Sequence, residues 1–377
     1  MDFFSKIVNN KPLANTENIE DFSKVVLYGA GNLGKRLFAE LSTMKVEVMG
    51  LIDKNAGNID FVHKIYNLEE ARDEIDKSIP VILSALFDKK TEGYIFETLR
   101  DIGFNRIYSL YQLDWQKLFY SDFGRTIFIG NYNIDDLQKD MDDISFAHSL
   151  FTDDYDRRYF LRYISAYYYK NFTEFSCPDY ALEEQYSGND IAEDIDYTRF
   201  IDCGAYDGDS LRNLLAKGKK ITDYVAFEPQ INLCKKIVKM RCGLEHPNIA
   251  VIPCGVSDVL EQKRFSVSGM GISQSAGKVS ESGSETIQCM TIDMLGDTFK
   301  PTFIKMDIEG MEIAALKGAE KTIKKYKPSL AVCVYHDLSH LWKIPTMIYD
   351  MNHSYKFYLR NYQIMGLETV LYAIPEA

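Results

Sequence analysis

The stretch Arg199-Phe-Ile-Asp-Cys-Gly-Ala-Tyr-Asp-Gly-Asp-Ser-Leu211 constrains the fold more than any other part of the chain. Phe200 and Ile201 read as a short buried strand, Gly204 and Gly208 as a turn, and Asp209 or Ser210 as the start of a helix. A strand, turn and helix in that order open a doubly wound α/β domain, whose ligand crevice lies at the carboxyl end of the strand. The glycines are spaced G-x-x-x-G, not G-x-G-x-x-G, and Asp202, Asp207 and Asp209 surround the turn. Carboxylates there repel a pyrophosphate and attract a ligand bearing an ammonium and a sulfonium, the charge pattern of S-adenosylmethionine. The stretch therefore predicts a methyltransferase.

The rest of the 377-residue chain has room for two or three domains with separate cores. A net charge of −12 argues against general affinity for nucleic acid or an anionic membrane, because no basic excess exists to displace phosphate counterions. Seven cysteines, without C-x-x-C pairs, suggest reduced thiols. Neither a secretory signal nor a membrane-spanning apolar run is evident, so a cytoplasmic protein is expected, with residues 1–20 as a short polar arm.

Residues 1–110 read as a first Rossmann-like domain. The strand Lys24–Tyr28 runs into Gly29-Ala-Gly-Asn-Leu-Gly34, a helix over Lys35–Ser42, and a second strand Val46–Ile52 ending at Asp53. This is a dinucleotide-type fingerprint, with an expected nucleotide or nucleotide-sugar site at Gly29, Gly31, Asn32, Leu33, Gly34 and Asp53. The alternative is a domain that keeps this backbone without a ligand, or serves for docking. Further units follow: a helix at Leu68–Lys77, a strand at Val81–Leu86, a helix at Thr91–Ile102 and a strand at Arg106–Leu110.

Residues 111–195 read as a helical connector over the mouth of the next domain. Tyr155, Tyr159, Tyr163 and Tyr167 recur every four residues along one helical face, which favours packing over substrate contact. Glu183-Glu-Gln-Tyr186 lies just upstream of the central strand, within reach of a substrate.

Residues 196–377 have the rhythm of a seven-strand α/β sheet with an antiparallel edge. Strands are expected at Tyr224–Phe227, Ile249–Ile252, Thr302–Met306, Leu330–Val334, Lys356–Arg360 and Thr369–Ala373, with helices at Asn232–Arg241, Met311–Tyr326 and near Met347–Met351. Extra strands at Lys263–Val267 and Glu285–Met290 would flank a Gly/Ser-rich loop, Ser268–Ser284. The fold class is thus α/β, with two doubly wound Rossmann-like domains, the second of the class I methyltransferase type, joined by helices.

Polar residues just past successive strands converge on one crevice in such a sheet. Asp202 and Asp207 would face the methionine ammonium and the sulfonium, Glu228 both ribose hydroxyls, and Asp258 the adenine amine. Gly204, Tyr206, Gly208, Pro229, Ser257 and Asp307 complete the expected cofactor set.

Asp202-Cys-Gly-Ala-Tyr-Asp-Gly208, Ala226-Phe-Glu-Pro229, Lys305-Met-Asp-Ile-Glu-Gly310 with Leu316-Lys-Gly-Ala319, and Pro328–His336 together resemble the FkbM family of S-adenosylmethionine-dependent methyltransferases. The resemblance covers roughly Phe200–Ile374, about half the chain. It implies O-methylation of a hydroxyl on a sugar, glycan or polyketide-like product. Residues 29–110 are similar to nucleotide-binding modules beside bacterial glycan-modifying enzymes. The chain departs from the family at Val334-Tyr-His336, where the family often carries an acid.

An alcohol nucleophile loses its proton on methylation, so a base within hydrogen-bond reach helps. His336 is the first candidate, because its ordinary pKa suits neutral pH, with Asp307 and Glu309 as rivals. Lys305 would orient the nucleophile or pair with Asp307. Asp307, Glu309 and His336 could also ligate a divalent metal, but their spacing lacks an ordered pattern and no metal is expected. His340 and His353 are expected at the surface. Two other readings stand beside the methyltransferase: a nucleotide-dependent oxidoreductase or sugar-modifying enzyme using Gly29–Asp53, and a non-enzymatic nucleotide-sugar-binding protein. No Tyr-x-x-x-Lys follows the fingerprint to support the former.

Overall fold

A computed structural model describes residues 3–128, 132–187, 190–191, 195–241, 247–266 and 277–376. Its first sheet is wholly parallel and comprises β1 (Lys24–Tyr28), β2 (Glu47–Ile52), β3 (Ile65–Tyr66), β4 (Val81–Leu83) and β5 (Ile107–Ser109), in the order β3-β2-β1-β4-β5. Short parallel strands need both faces covered, and Val25, Val26 and Leu27 are accordingly all buried. β3 was not expected from the sequence, since two residues carry no periodicity. Nor was the helix Phe3–Asn9, which replaces the expected polar arm because Ile7 is buried in the core.

The second sheet has the order β15-β16-β14-β13-β6-β7-β8. Its members are β6 (Arg199–Cys203), β7 (Asp223–Phe227), β8 (Asn248–Ile252), β13 (Phe303–Met306), β14 (Ser329–Cys333), β15 (Tyr355–Asn361) and β16 (Thr369–Pro375). The five from β8 to β14 in that order are parallel, whereas β16 runs antiparallel between β14 and β15. The chain winds outward from β6 in one direction and from β13 in the other, so the β6–β13 junction is the switch point where a crevice opens.

Between β8 and β13 the chain forms β9 (Gly255–Val256), β10 (Glu261–Ser266), β11 (Lys278–Val279) and β12 (Glu285–Met290). They make a separate four-stranded sheet, β11-β10-β12-β9. The expected strands at 263–267 and 285–290 belong to it, and part of the expected loop at 268–284 lies outside the described residues. Instead of one helix over Met311–Tyr326 there are two, Glu312–Lys317 and Glu320–Tyr326. They break at Gly318, where a Cβ would stand 2.1 Å from the Ser257 carbonyl oxygen.

The tyrosine face of the helix Asp154–Tyr169 is a packing face. Tyr159, Tyr163 and Tyr167 are buried, with successive ring centroids 6.0 and 5.0 Å apart. A contiguous apolar core runs from one face of the first sheet through these helices to the second sheet. The other face of the first sheet has its own cluster around Val81, Leu99 and Phe104.

Candidate active site

A cavity of about 410 Å³ opens at the carboxyl edge of β6, β7, β13 and β14, at the switch point. Its first wall is the turn after β6. Gly204 adopts φ +78°, and a Cβ there would lie 1.9 Å from the Asp307 carbonyl oxygen, so only glycine lets β6 and β13 end side by side. The N–H groups of Gly204 and Ala205 both donate to the Phe227 carbonyl, at 3.0 and 3.1 Å. Tyr206, at φ +49°, donates its N–H to Glu228 Oε2 at 3.0 Å, while the Gln230 N–H donates to Oε1 at 2.8 Å. Glu228 is thus buried and clasped by backbone, facing the cavity together with Pro229. Burial pushes its pKa up to about 7, against those two N–H donors.

Several acids expected in the crevice are turned elsewhere. Asp202 is fully buried beneath the turn, with Oδ1 3.1 Å from Lys305 Nζ and Oδ2 accepting from Tyr224 Oη at 2.8 Å. Lys305 therefore pairs with Asp202 rather than with Asp307. It also donates to the Gly204 carbonyl at 2.7 Å and still lines the cavity. Burial opposes the Lys305 charge, but Asp202, Asp307 and Asp209 hold its pKa above the ordinary lysine value. Asp207 turns to Arg212, 2.6 Å away, and Asp209 and Ser210 line the cavity in its place. Gly208, at φ +85°, shapes the start of the helix Asp209–Ala216 from outside the lining. Ser257 is buried, with Oγ donating to Glu261 at 2.7 Å, and Asp258 is exposed outside the lining. On that side the cavity is lined instead by Cys254–Val256 and by Phe265, Ile287 and Cys289.

The opposite end of the cavity is acidic and aromatic. Asp307, Glu309 and Glu368 line it with Tyr186, Tyr335 and Gln185. Tyr186 Oη donates to Asp307 Oδ2 at 3.2 Å, and Tyr335 Oη lies 3.4 Å from Asp307 Oδ1 and 3.2 Å from Glu368 Oε1. Gln185 Nε2 donates to Glu368 Oε2 at 2.9 Å.

His336 is buried behind this wall, outside the cavity lining. Its Nδ1 is 2.8 Å from Glu312 Oε1, and its Nε2 is 3.6 Å from Asp307 and 3.7 Å from Glu309. Desolvation works against its charge, but Glu312 foremost, then Glu309 and Asp307, push its pKa up to about 10. Despite burial, the His336 and His340 charges pull Glu312 down to about 2. The imidazole is therefore a cation at neutral pH and has no free lone pair to act as base, so the expected role of His336 is corrected to that of a charged support. Among the described residues no group of three His, Cys, Asp or Glu is arranged to hold a metal ion. His340 is buried against Glu312, contrary to the expected surface position, because Glu312 Oε2 sits 3.4 Å from its Nδ1. His353 is exposed.

The methyltransferase FkbM domain family matches residues 202–360, which contain this turn, Glu228, Lys305, Asp307, Glu309 and His336. Residues 202–360 are thus similar to an FkbM methyltransferase domain. The chain also aligns with the crystal structure of an FkbM methyltransferase from Methylobacillus flagellatus KT, over 98% of both chains at 18% identity and a TM-score of 0.67, a likeness of fold. An rRNA methylase from Streptococcus thermophilus aligns with 49% of this chain and 92% of its own at 14% identity, with a TM-score of 0.30. No functionally curated protein matches the chain.

The matched segment supplies most of the cavity lining, with Leu182, Gln185, Tyr186 and Glu368 coming from outside it, and the fingerprint of the first sheet contributes no residue to that lining. Gly29 has φ +112°, and a Cβ on Gly34 would lie 1.9 Å from the Gly29 carbonyl oxygen, so both glycines serve close packing of strand against helix. Leu33 is buried and Asn32 opens the helix Asn32–Thr43 after Gly31, which faces open space. Asp53 accepts from the Ala30 N–H at 2.9 Å and from the Asn55 N–H at 2.8 Å, so its carboxylate ties the glycine loop to its own turn. Among the described residues no helix is long and apolar enough to cross a membrane.

Glu312, Glu368 and the two-residue strands β9 and β11 were not expected from the sequence, whereas β10 and β12 of the small sheet were. Glu312 lies within the quoted Lys305–Ala319 blocks, and its spacing from the strand end was a usable signal. Glu368 precedes an antiparallel strand, where no strand-end rule looks.

Proposed function

We propose that the chain is an S-adenosylmethionine-dependent O-methyltransferase acting on a hydroxyl of a sugar, glycan or sugar-nucleotide. The observation that carries this reading is Glu228, a buried carboxylate clasped by two backbone N–H groups at the switch point, placed to accept the two hydroxyls of a ribose. The residues fit the cofactor in three further ways. Gly204 lets the ends of β6 and β13 meet at the cavity, Asp209 offers charge for an ammonium, and Phe265, Ile287 and Cys289 supply an apolar wall for an adenine. Bound there, S-adenosylmethionine would supply an electrophilic methyl group on a good leaving group.

The chain's own contribution is chiefly positioning, which is worth up to roughly 7–11 kcal/mol when two reactants are held in line. Lys305 braces the turn through the Gly204 carbonyl, and Tyr186 is held by Tyr372 Oη on its N–H and Tyr197 Oη on its carbonyl, at 2.9 and 2.7 Å. The acids and phenols at the far end suit a polyhydroxylated acceptor, since every group there can bond a hydroxyl.

The reading is tested by incubating the protein with methyl-labelled S-adenosylmethionine and a panel of free sugars, nucleotide sugars and amines, then locating the label by mass spectrometry. Label on a sugar oxygen is expected. Label confined to nitrogen rejects the hydroxyl acceptor.

A further inference from the structure

We propose that Glu368 is the general base at the acceptor end of the cavity, taking the proton of the acceptor hydroxyl as its oxygen is methylated. This rests on the methyltransferase reading above and adds to it the group that receives the proton.

Topology brings Glu368 to the site. β16 runs antiparallel to β14 with Cys333 opposite Val370, so the residue before β16 lies at the carboxyl edge of the parallel strands. The turn that carries it is tightly held. Met365, Gly366 and Glu368 have φ +61°, +75° and +54°, and a Cβ on Gly366 would meet the Tyr163 ring at 2.7 Å. Tyr159 Oη is 2.6 Å from Thr369 Oγ1, and Asn361 Nδ2 donates to the Leu367 carbonyl at 2.8 Å. The buried tyrosine face thus clamps this turn. Tyr186, Tyr206, Glu309 and Glu368, all left-handed and none of them glycine, line one cavity. Strain of this kind gathers at functional sites, where the surrounding structure must enforce it.

Charge separates Glu368 from the other acids beside it. Asp307 accepts from Tyr186, is approached by Tyr335, and has the His336 imidazolium 3.6 Å away. Glu309 lies 3.7 Å from the same cation, which opposes the rise that burial gives its pKa. Among the described residues Glu368 accepts from neutral donors, the Gln185 amide and the Tyr335 phenol. Burial first, then the Asp307 charge, push its pKa up to about 7, against the Gln185 bond, the His336 charge and the Tyr335 bond. Lys305 and Glu309 are the remaining charged groups of the lining on this side. A base whose affinity for a proton matches the working pH is the most effective one.

The step balances. The acceptor O–H bond breaks and its proton passes to the Glu368 carboxylate. The oxygen forms a bond to the methyl carbon while the carbon–sulfur bond breaks, and the sulfur keeps that electron pair and loses its positive charge. Solvent then removes the proton from Glu368.

Glu368→Gln keeps the shape and removes the base. With S-adenosylmethionine and glucose, N-acetylglucosamine and UDP-glucose as probes, kcat should fall by about 100-fold or more, with calorimetric affinity for S-adenosylmethionine unchanged. In the wild type kcat should rise with pH through about 7 as Glu368 loses its proton, and Glu368→Gln should lose that limb. Tyr335→Phe removes a donor that favours the carboxylate, so its limb should move to higher pH, which decides the matter even where Glu368→Gln fails to fold. An unchanged rate or limb in Glu368→Gln, or an unmoved limb in Tyr335→Phe, overturns the base. Methyl transfer to amines in the panel above but to none of the three sugars rejects the hydroxyl-acceptor reading itself.

Discussion

Replacing Glu312 by glutamine should make the protein lose stability in a way that depends on pH. Glu312 and His336 are both buried and 2.8 Å apart, and Glu312 Oε1 also accepts from the Ile308 N–H at 3.0 Å, knitting the loop that carries Asp307 and Glu309. The rise of His336 from 6.5 to about 10 corresponds to about 5 kcal/mol, and the fall of Glu312 from 4.5 to about 2 to about 3 kcal/mol. The figures differ because His336 also feels Asp307 and Glu309, and since His340 and the Ile308 N–H also lower Glu312, the lower figure is an upper bound for the pair. A histidine raised by folding contributes stability fully below its unfolded pKa of 6.5 and loses it as pH rises through about 10. Glu312, lowered by folding, contributes above 4.5 and loses its part as pH falls through about 2. The wild type should therefore lose stability from pH 6.5 to 10. Glu312→Gln should start up to about 3 kcal/mol lower at pH 6.5, with the gap closing towards pH 10. Urea denaturation of both proteins, followed by circular dichroism at half-unit pH steps, gives the difference directly and cancels groups common to both. A gap that stays constant from pH 6.5 to 10 would refute the charged pair.

Other substitutions probe the turn after β6. Asp202→Asn leaves the buried Lys305 ammonium beside a neutral amide, and a loss of about 3–5 kcal/mol is expected; an unchanged Tm would show that the pair does not hold the turn. Gly204→Ala drives a Cβ to 1.9 Å from the Asp307 carbonyl oxygen at a φ of +78°. Affinity for S-adenosylmethionine, measured by equilibrium dialysis, should fall at least 10-fold, and wild-type affinity would count against the close approach.

The parts of this molecule written in neighbouring residues were legible from the sequence. The strand, glycine turn and helix at Arg199–Ala216 follow from a buried run, two glycines at positive φ and a polar helix start, all within eighteen residues. The antiparallel edge was equally readable, from alternation over the first part of Tyr355–Asn361 and from a continuous apolar run in Thr369–Pro375. What the sequence hid depends on which partner a side chain meets. Asp202 looks like a ligand contact until Lys305, on the adjacent strand, is seen to claim it. His336 looks like a base because its ordinary pKa is near neutral, yet Glu312, at the start of the helix Glu312–Lys317, holds it charged. Glu368 reaches the crevice only because β16 enters the sheet from the carboxyl edge, which residue spacing does not report. Phe3–Asn9 looked like a polar arm, since a single buried Ile7 gives too short a pattern to separate helix from coil.

The most direct measurement is calorimetric titration of S-adenosylmethionine into the wild-type chain and into Glu228→Gln. Glutamine keeps the shape but gives up the charge that the Tyr206 and Gln230 N–H groups orient. One site per chain is expected in the wild type, with affinity at least 10-fold weaker in the variant. No heat of binding in the wild type, or equal affinity in the two proteins, would contradict a donor site built around Glu228.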